Sequence, residues 1–273
     1  MIKKNIKETL FFAIGLLLLG LIYEIIVIVK NNSYFAPHLN EILSFFFESF
    51  TYKKTWIGIL NTLLDVLVAI LISFSLSIFF AVISYKFEFI YKIFRPMILI
   101  LRCIPIVILI NVIWFILSMQ YKNLVVYLSV FSILFPIIYE ALYQAIKSID
   151  RSYIDVYKIN SNLSFYIVFR VYIPLVSSSV KSSIINAIGI GIKVALSVEF
   201  IVGLKETLGY LIKYESNAYT GYVGVYAYIL ILILLSILLE IIFIASRYVC
   251  GKIKENLDKN RILKYEREKN KGL

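Results

Sequence analysis

Six charged side chains stand inside or at the edges of long apolar stretches: Glu24, Asp65, Arg102, Lys193, Glu199 and Glu240. A charge at mid-bilayer costs at least about 2.5–3.5 kcal/mol, so each needs a partner, a cavity or an interface. Snorkelling or a helix-pair contact accounts for Glu24 and Glu240. Arg102, with Arg95 shortly before it, reads as the anchor of a helix end at the cytoplasmic face. Lys193 stands near the middle of its apolar run and has two readings. It pairs with Asp65, Glu199 or Glu240, or it offers positive charge to an anionic or carboxylate-bearing solute on a path that Glu199 and Asp65 also line. No catalytic chemistry fits these residues. His38 is the only histidine, which excludes a multi-His metal cluster, and Cys103 and Cys250 lack metal or redox spacing. No catalytic residue, metal ligand or cofactor is expected on this chain.

The elements that must position these charges are membrane helices. Of the 273 residues, 61% are hydrophobic and 16% charged, whereas soluble domains run at about 45–50% apolar and about a quarter charged. A helix needs roughly 20 mainly apolar residues to cross a bilayer core. Six such spans can be drawn, near 10–29, 60–84, 97–118, 123–142, 182–203 and 224–247. The expected fold is therefore all-α and polytopic. Lys3, Lys4 and Lys7 followed by Leu10–Val29 resemble a signal peptide, but the apolar run is too long and no small-residue cleavage site follows, so it reads as an uncleaved first span. With the N-terminus inside, cytoplasmic segments carry 20 Lys and Arg against 6 outside, which orients both termini to the cytoplasm. The net charge of +11 follows from this distribution. It does not signal nucleic-acid binding, because the basic residues lie between spans and not in one compact face. Three regions result: a first span and outside segment (1–55), a core (56–250) and a basic cytoplasmic tail (251–273).

Two local patterns stand out. Ser179, Ser183, Ala187, Gly191 and Ala195 recur every four residues, a smooth face on which helices in lipid approach closely. It packs within the subunit or at a seam between two subunits. The inside connection 142–181 is far longer than an ordinary helix connection. It mixes charged residues (Asp150, Arg151, Asp155, Lys158, Arg170) with apolar ones and ends at Pro174. Short amphipathic helices there suit the groove of a partner protein.

Within that connection, Asp155-Val156-Tyr157 is followed after three residues by Ser161, and after nine more by Val171-Tyr172-Ile173-Pro174. This resembles the EAA coupling motif of permeases from binding-protein-dependent ABC importers, with its E-A-A, three residues, Gly, nine residues, I-x-L-P. Asp155 stands for the Glu, Ser161 for the Gly, and Val171 and Ile173 for the aliphatics. Leu101-Arg102-Cys103-Ile104-Pro105, with Trp114-Phe115 beyond it, is similar to the L-R-x-I-P and W-F-G stretches of the nitrate/sulfonate/taurine-type branch. Glu199 followed by Thr207-Leu208-Gly209-Tyr210-Leu211-Ile212 resembles that branch's E…G-L-G-Y-L-I.

The resemblance covers about 56–250 and implies a bacterial inner-membrane permease subunit. It implies coupling to a separate ABC ATPase through Asp155, Val156, Tyr157, Ser161, Val171, Ile173 and Pro174. It implies further an extracytoplasmic solute-binding protein and a second permease copy enclosing the path. The cargo would be a small solute such as nitrate, a sulfonate, taurine or a vitamin precursor. ATP would belong to the partner, and no GxxxxGK[ST] phosphate loop occurs in this chain. A secondary transporter or channel working without an ATPase is the alternative.

Overall fold

The structure is a computed structural model that describes residues 2–117, 120–149, 177–218, 221–239, 241, 242 and 245. Asp155, Val156, Tyr157, Ser161, Val171, Ile173 and Pro174 lie outside the described residues, as do Glu240 and Cys250. By contacts the chain divides into two compact units, Met1–Ile233 and Leu234–Leu273, and the packed helices belong to the first.

Helices follow from the apolar composition, because a helix satisfies its backbone hydrogen bonds internally and hydrocarbon supplies none. In chain order they are α1 (Ile2–Lys30), α2 (Leu39–Ser49), α3 (Lys53–Lys86), α4 (Glu88–Cys103), α5 (Ile106–Leu117), α6 (Lys122–Lys147), α7 (Ser177–Val202) and α8 (Leu208–Ser216). A further apolar helix, α9, runs Val223–Leu239. Among the described residues, α3, α6 and Ser183–Val202 of α7 are each long and apolar enough to cross a membrane, and α4 with α5 makes a fourth candidate if the bent pair is one span.

That bend corrects the expectation of a continuous third span at 97–118. The helix stops at Cys103 and resumes at Ile106 with its axis turned by 107°. The cause is local. Pro105 disfavours helical backbone at the residue before it, and Ile104 is extended at φ −71°, ψ 124°. Arg102, at the end of α4, donates to the Pro136 carbonyl at 3.1 Å, so it ties the bend to the middle of α6.

The core is α3, α6 and α7 packed on one another. Along α3 the buried face reads Thr62, Asp65, Val66, Ala69, Ser73, Ser77, Ala81 and Ser84. Large apolar side chains such as Leu60, Leu64, Leu67, Leu71 and Phe79 point outward. In lipid this arrangement is expected, since tails solvate leucine as well as a core does, and small residues let backbones approach. The hydroxyls do not stay idle. Ser77 donates to the Phe135 carbonyl at 3.3 Å, and Tyr139 donates to Ser84 at 2.7 Å. The small-residue face of α7 is buried in the same packing. Ser183, Ala187 and Ala195 are buried, and a Cβ on Gly191 would sit 3.4 Å from Leu134, 3.5 Å from Val66 and 3.7 Å from Ile70. This face is turned to α3 and α6 of the same subunit.

Candidate functional site

The most tightly built polar group lies where α7 ends and α8 begins. Gly203, at φ +68°, stops α7, and Gly203 and Leu204 both donate backbone N–H bonds to the Glu199 carbonyl. Two lysines then reach carbonyls at and just past the end of α7: Lys213 donates to Ile201 at 3.0 Å and Lys122 to Gly203 at 3.1 Å. Cations are favoured at a helix C-terminus by the same partial charges they bond. Four residues on, Thr207 caps α8 by accepting from the Tyr210 N–H.

Glu199 joins three helices at this point. Its side chain is fully buried. Oε2 accepts from the Thr62 hydroxyl of α3 at 2.9 Å and from the Gly209 N–H of α8 at 3.0 Å. Thr62 in turn accepts from the Leu208 N–H at 3.0 Å. Two of the free N–H groups at the α8 N-terminus are therefore taken by side chains from α3 and α7, an arrangement that suits a carboxylate at a helix start. The second oxygen, Oε1, is buried without a hydrogen-bond partner. The approach is close enough to require glycine: a Cβ at residue 209 would lie 2.4 Å from Glu199 Cβ and 2.7 Å from the Phe200 nitrogen. Asp65, one turn along α3 from Thr62, is buried too and accepts a hydrogen bond from Tyr127 of α6.

Lys193 is not part of this group. Its side chain is exposed, and it forms no ion pair among the described residues. This overturns the pairing with Asp65 or Glu199 and follows from helical phase, since residue 193 lies six before 199. Asn186, Lys193 and Phe200, seven apart and all exposed, form the strip of α7 that faces away from α3 and α6. The structure brings Glu199 and Asp65 into one neighbourhood inside the packing and leaves Lys193 on an uncovered face.

Glu24, near the end of α1, binds the start of α2. Its carboxylate meets His38 Nδ1 at 2.5 Å and accepts from the Leu39 N–H at 3.2 Å. The hydrogen bond to Glu24 raises the His38 pKa above its usual value near 6.5. A raised folded-state pKa means that this tie contributes fully below about pH 6.5, for as long as Glu24 stays ionised, and is lost as pH rises through the higher folded value. Because His38 is the only histidine, its ring resonances can be followed by NMR through a pH titration. The midpoint should lie above that of a free histidine and return toward it in Glu24→Gln.

Sequence reasoning named Glu199 and the Thr207–Ile212 stretch but not what they do together, and it gave Thr62, Lys122 and Lys213 no role. The signal was present in Gly209, whose spacing from Glu199 puts a residue without a side chain against the last turn of α7. The α2 helix was equally unmarked, hidden in a segment too short to span.

Among the described residues the fold is helical throughout, with several helices of membrane-crossing length and polar ties buried between them, which defines the class of an integral membrane protein. The sequence matches the model of the binding-protein-dependent transport system inner membrane component over residues 73–245, and the chain belongs to that family. It is thus the permease component of a binding-protein-dependent ABC importer. Among solved structures, the fold resembles a chain of a bacterial ABC transporter involved in the import of the acidic polysaccharide alginate, with a TM-score of 0.62 and 13% identity over 89% of this chain and 96% of that one. No curated protein sequence matches this one.

Proposed function

We propose that this chain forms half of the translocation path of an ABC importer in a bacterial inner membrane. A second copy of the chain supplies the other half, and a separate ATPase and an extracytoplasmic solute-binding protein complete the assembly. The reading places six spans in the membrane with both termini in the cytoplasm, and it assigns ATP to the partner subunit. The observation that carries it is the uncovered strip of α7. Asn186 and Lys193 face outward from the packed core on a membrane-length helix, and polar side chains at that depth need water or protein over them. A path between two copies provides both. The cargo is a small organic or inorganic anion such as nitrate, a sulfonate or taurine, or a vitamin precursor. The neighbour's acidic polysaccharide belongs to that neighbour, since 13% identity carries only the fold.

The test is purification of the chain from its native membrane in mild detergent, with its partners identified by mass spectrometry. A stoichiometric ATPase is expected, and Asp155→Lys should lose it, because the reversed charge sits at the head of the coupling motif. Recovery of the chain without an ATPase under every mild condition would point to a secondary transporter. Lys193→Met tests the cargo. Removing one charge-assisted contact to an anion should lower uptake about tenfold, and unchanged uptake by a folded variant would remove Lys193 from the path.

A further inference from the structure

A cavity of about 680 Å³ opens where α6 begins and α7 ends, lined among others by Gln120, Lys122, Asn123, Tyr127, Gly203 and Lys205. Among the described residues, its lining holds two lysines and no carboxylate. Asp65, the acid bonded to Tyr127, is buried and outside the lining, and Glu206, next to Lys205, is also outside it. The two cations are held differently. Lys122 is half-buried and spends one N–H on the Gly203 carbonyl at 3.1 Å, which fixes its ammonium at the wall with two donors left. Lys205 is exposed and has no hydrogen bond or ion pair among the described residues. The start of α6 adds polarity of the same sign, because Tyr121 gives it no side-chain cap and its first residues, Lys122 and Asn123, belong to the lining.

We infer that this cavity is a binding site for a tetrahedral oxyanion, a sulfate- or phosphate-like group held between Lys122 and Lys205 with Gln120 and Asn123 as neutral partners. Such a group reaches it either as a free anion or as the headgroup of an anionic phospholipid, whose phosphodiester presents two unesterified oxygens to the same donors. The inference goes beyond the proposed path: it concerns the end of the helix bundle and does not use Lys193.

The test uses the full chain in nanodiscs. In phosphatidylcholine discs, sodium sulfate and sodium phosphate are titrated against sodium chloride at equal ionic strength while thermal unfolding is followed. In a second arm, discs containing phosphatidylglycerol are dissolved in mild detergent, and the lipid retained per chain is counted by native mass spectrometry. Saturable stabilisation by sulfate or phosphate identifies a free-anion site; retained phosphatidylglycerol without it identifies a headgroup site. In either case Lys205→Gln is expected to raise the half-saturating concentration, or lower retention, about tenfold, as befits loss of one charge-assisted contact. Lys122→Gln should act in the same direction. Because Lys122 also holds α7, Lys205→Gln remains decisive if that variant fails to fold. No effect of any anion or of phosphatidylglycerol, or an effect unchanged in Lys205→Gln, overturns the inference. An effect lost in Lys193→Gln but kept in Lys205→Gln would overturn it equally and move the anion to the path.

Discussion

Gly209→Ala is expected to cost at least about 3 kcal/mol, although it adds a single methyl group. The methyl carbon would have to occupy space 2.4 Å from Glu199 Cβ, 2.7 Å from the Phe200 nitrogen and 2.8 Å from the Leu196 carbonyl. Two of those three atoms are backbone within α7, so no rotamer change relieves the clash. Either α8 moves off or α7 bends, and overpacking of this kind typically costs about 1–3 kcal/mol and more where backbone must yield. For a chain of this size, 3 kcal/mol lowers the unfolding midpoint by roughly 6–12 °C. Gly189→Ala supplies the control. It is the same substitution on the neighbouring helix, and a Cβ there meets nothing within 4 Å. It should be neutral or raise stability by about 0.5–1 kcal/mol, since glycine is a poor helix residue. Thermal unfolding in detergent, read by intrinsic fluorescence or by size-exclusion recovery after heating, separates the two. Equal midpoints would mean that α8 does not sit against α7 as described.

Glu199→Ala should be nearly as damaging, by about 3 kcal/mol, for a different reason. The substitution removes the acceptor for the Gly209 N–H and the Thr62 hydroxyl, both buried, and leaves a small cavity. An orphaned buried donor costs about 1–3 kcal/mol, and the lost packing adds to it. Glu199→Gln keeps one acceptor oxygen in place and should lose much less. Thr62→Val breaks the opposite side of the same group, since Thr62 both donates to Glu199 and accepts from the Leu208 N–H. The two lesions share partners, so Glu199→Ala with Thr62→Val should cost clearly less than the two single variants together. Strict additivity in that double-mutant cycle would show that the hydrogen bonds do not form one unit. The functional readout should follow: with α8 released from α3 and α7, uptake is expected to fall even where the protein is still recovered from the membrane.

Membrane residence was legible in the residues themselves. A run such as Leu60–Ala81 cannot be dissolved in water at this length, and helix is the backbone form that hydrocarbon tolerates. The resemblance to the coupling motif rests on spacing along the chain alone, and its residues lie outside the described ones. The turn at Ile104-Pro105 was present in the sequence too, but as a proline, not as an angle. A proline fixes the conformation of the residue before it, whereas the 107° between α4 and α5 depends on where α6 offers the Pro136 carbonyl to Arg102.

The charged residues divide differently. From sequence, Asp65, Lys193 and Glu199 were three costly groups in or at the edges of apolar runs, and either a mutual pairing or a shared path accounted for them. What separated them was the phase of α7 against α3 and α6, which places Glu199 inside and Lys193 outside. Thr62 and Glu199 meet across 137 residues, and no local pattern encodes such a contact. The sequence by itself determined the solvent of this protein, its helical class and the family to which it belongs, because those depend on apolar length and residue order. Only the tertiary structure decided which polar groups close upon each other and which stay open, because that depends on helix rotation, where a shift of two residues turns a side chain from the core to the surface.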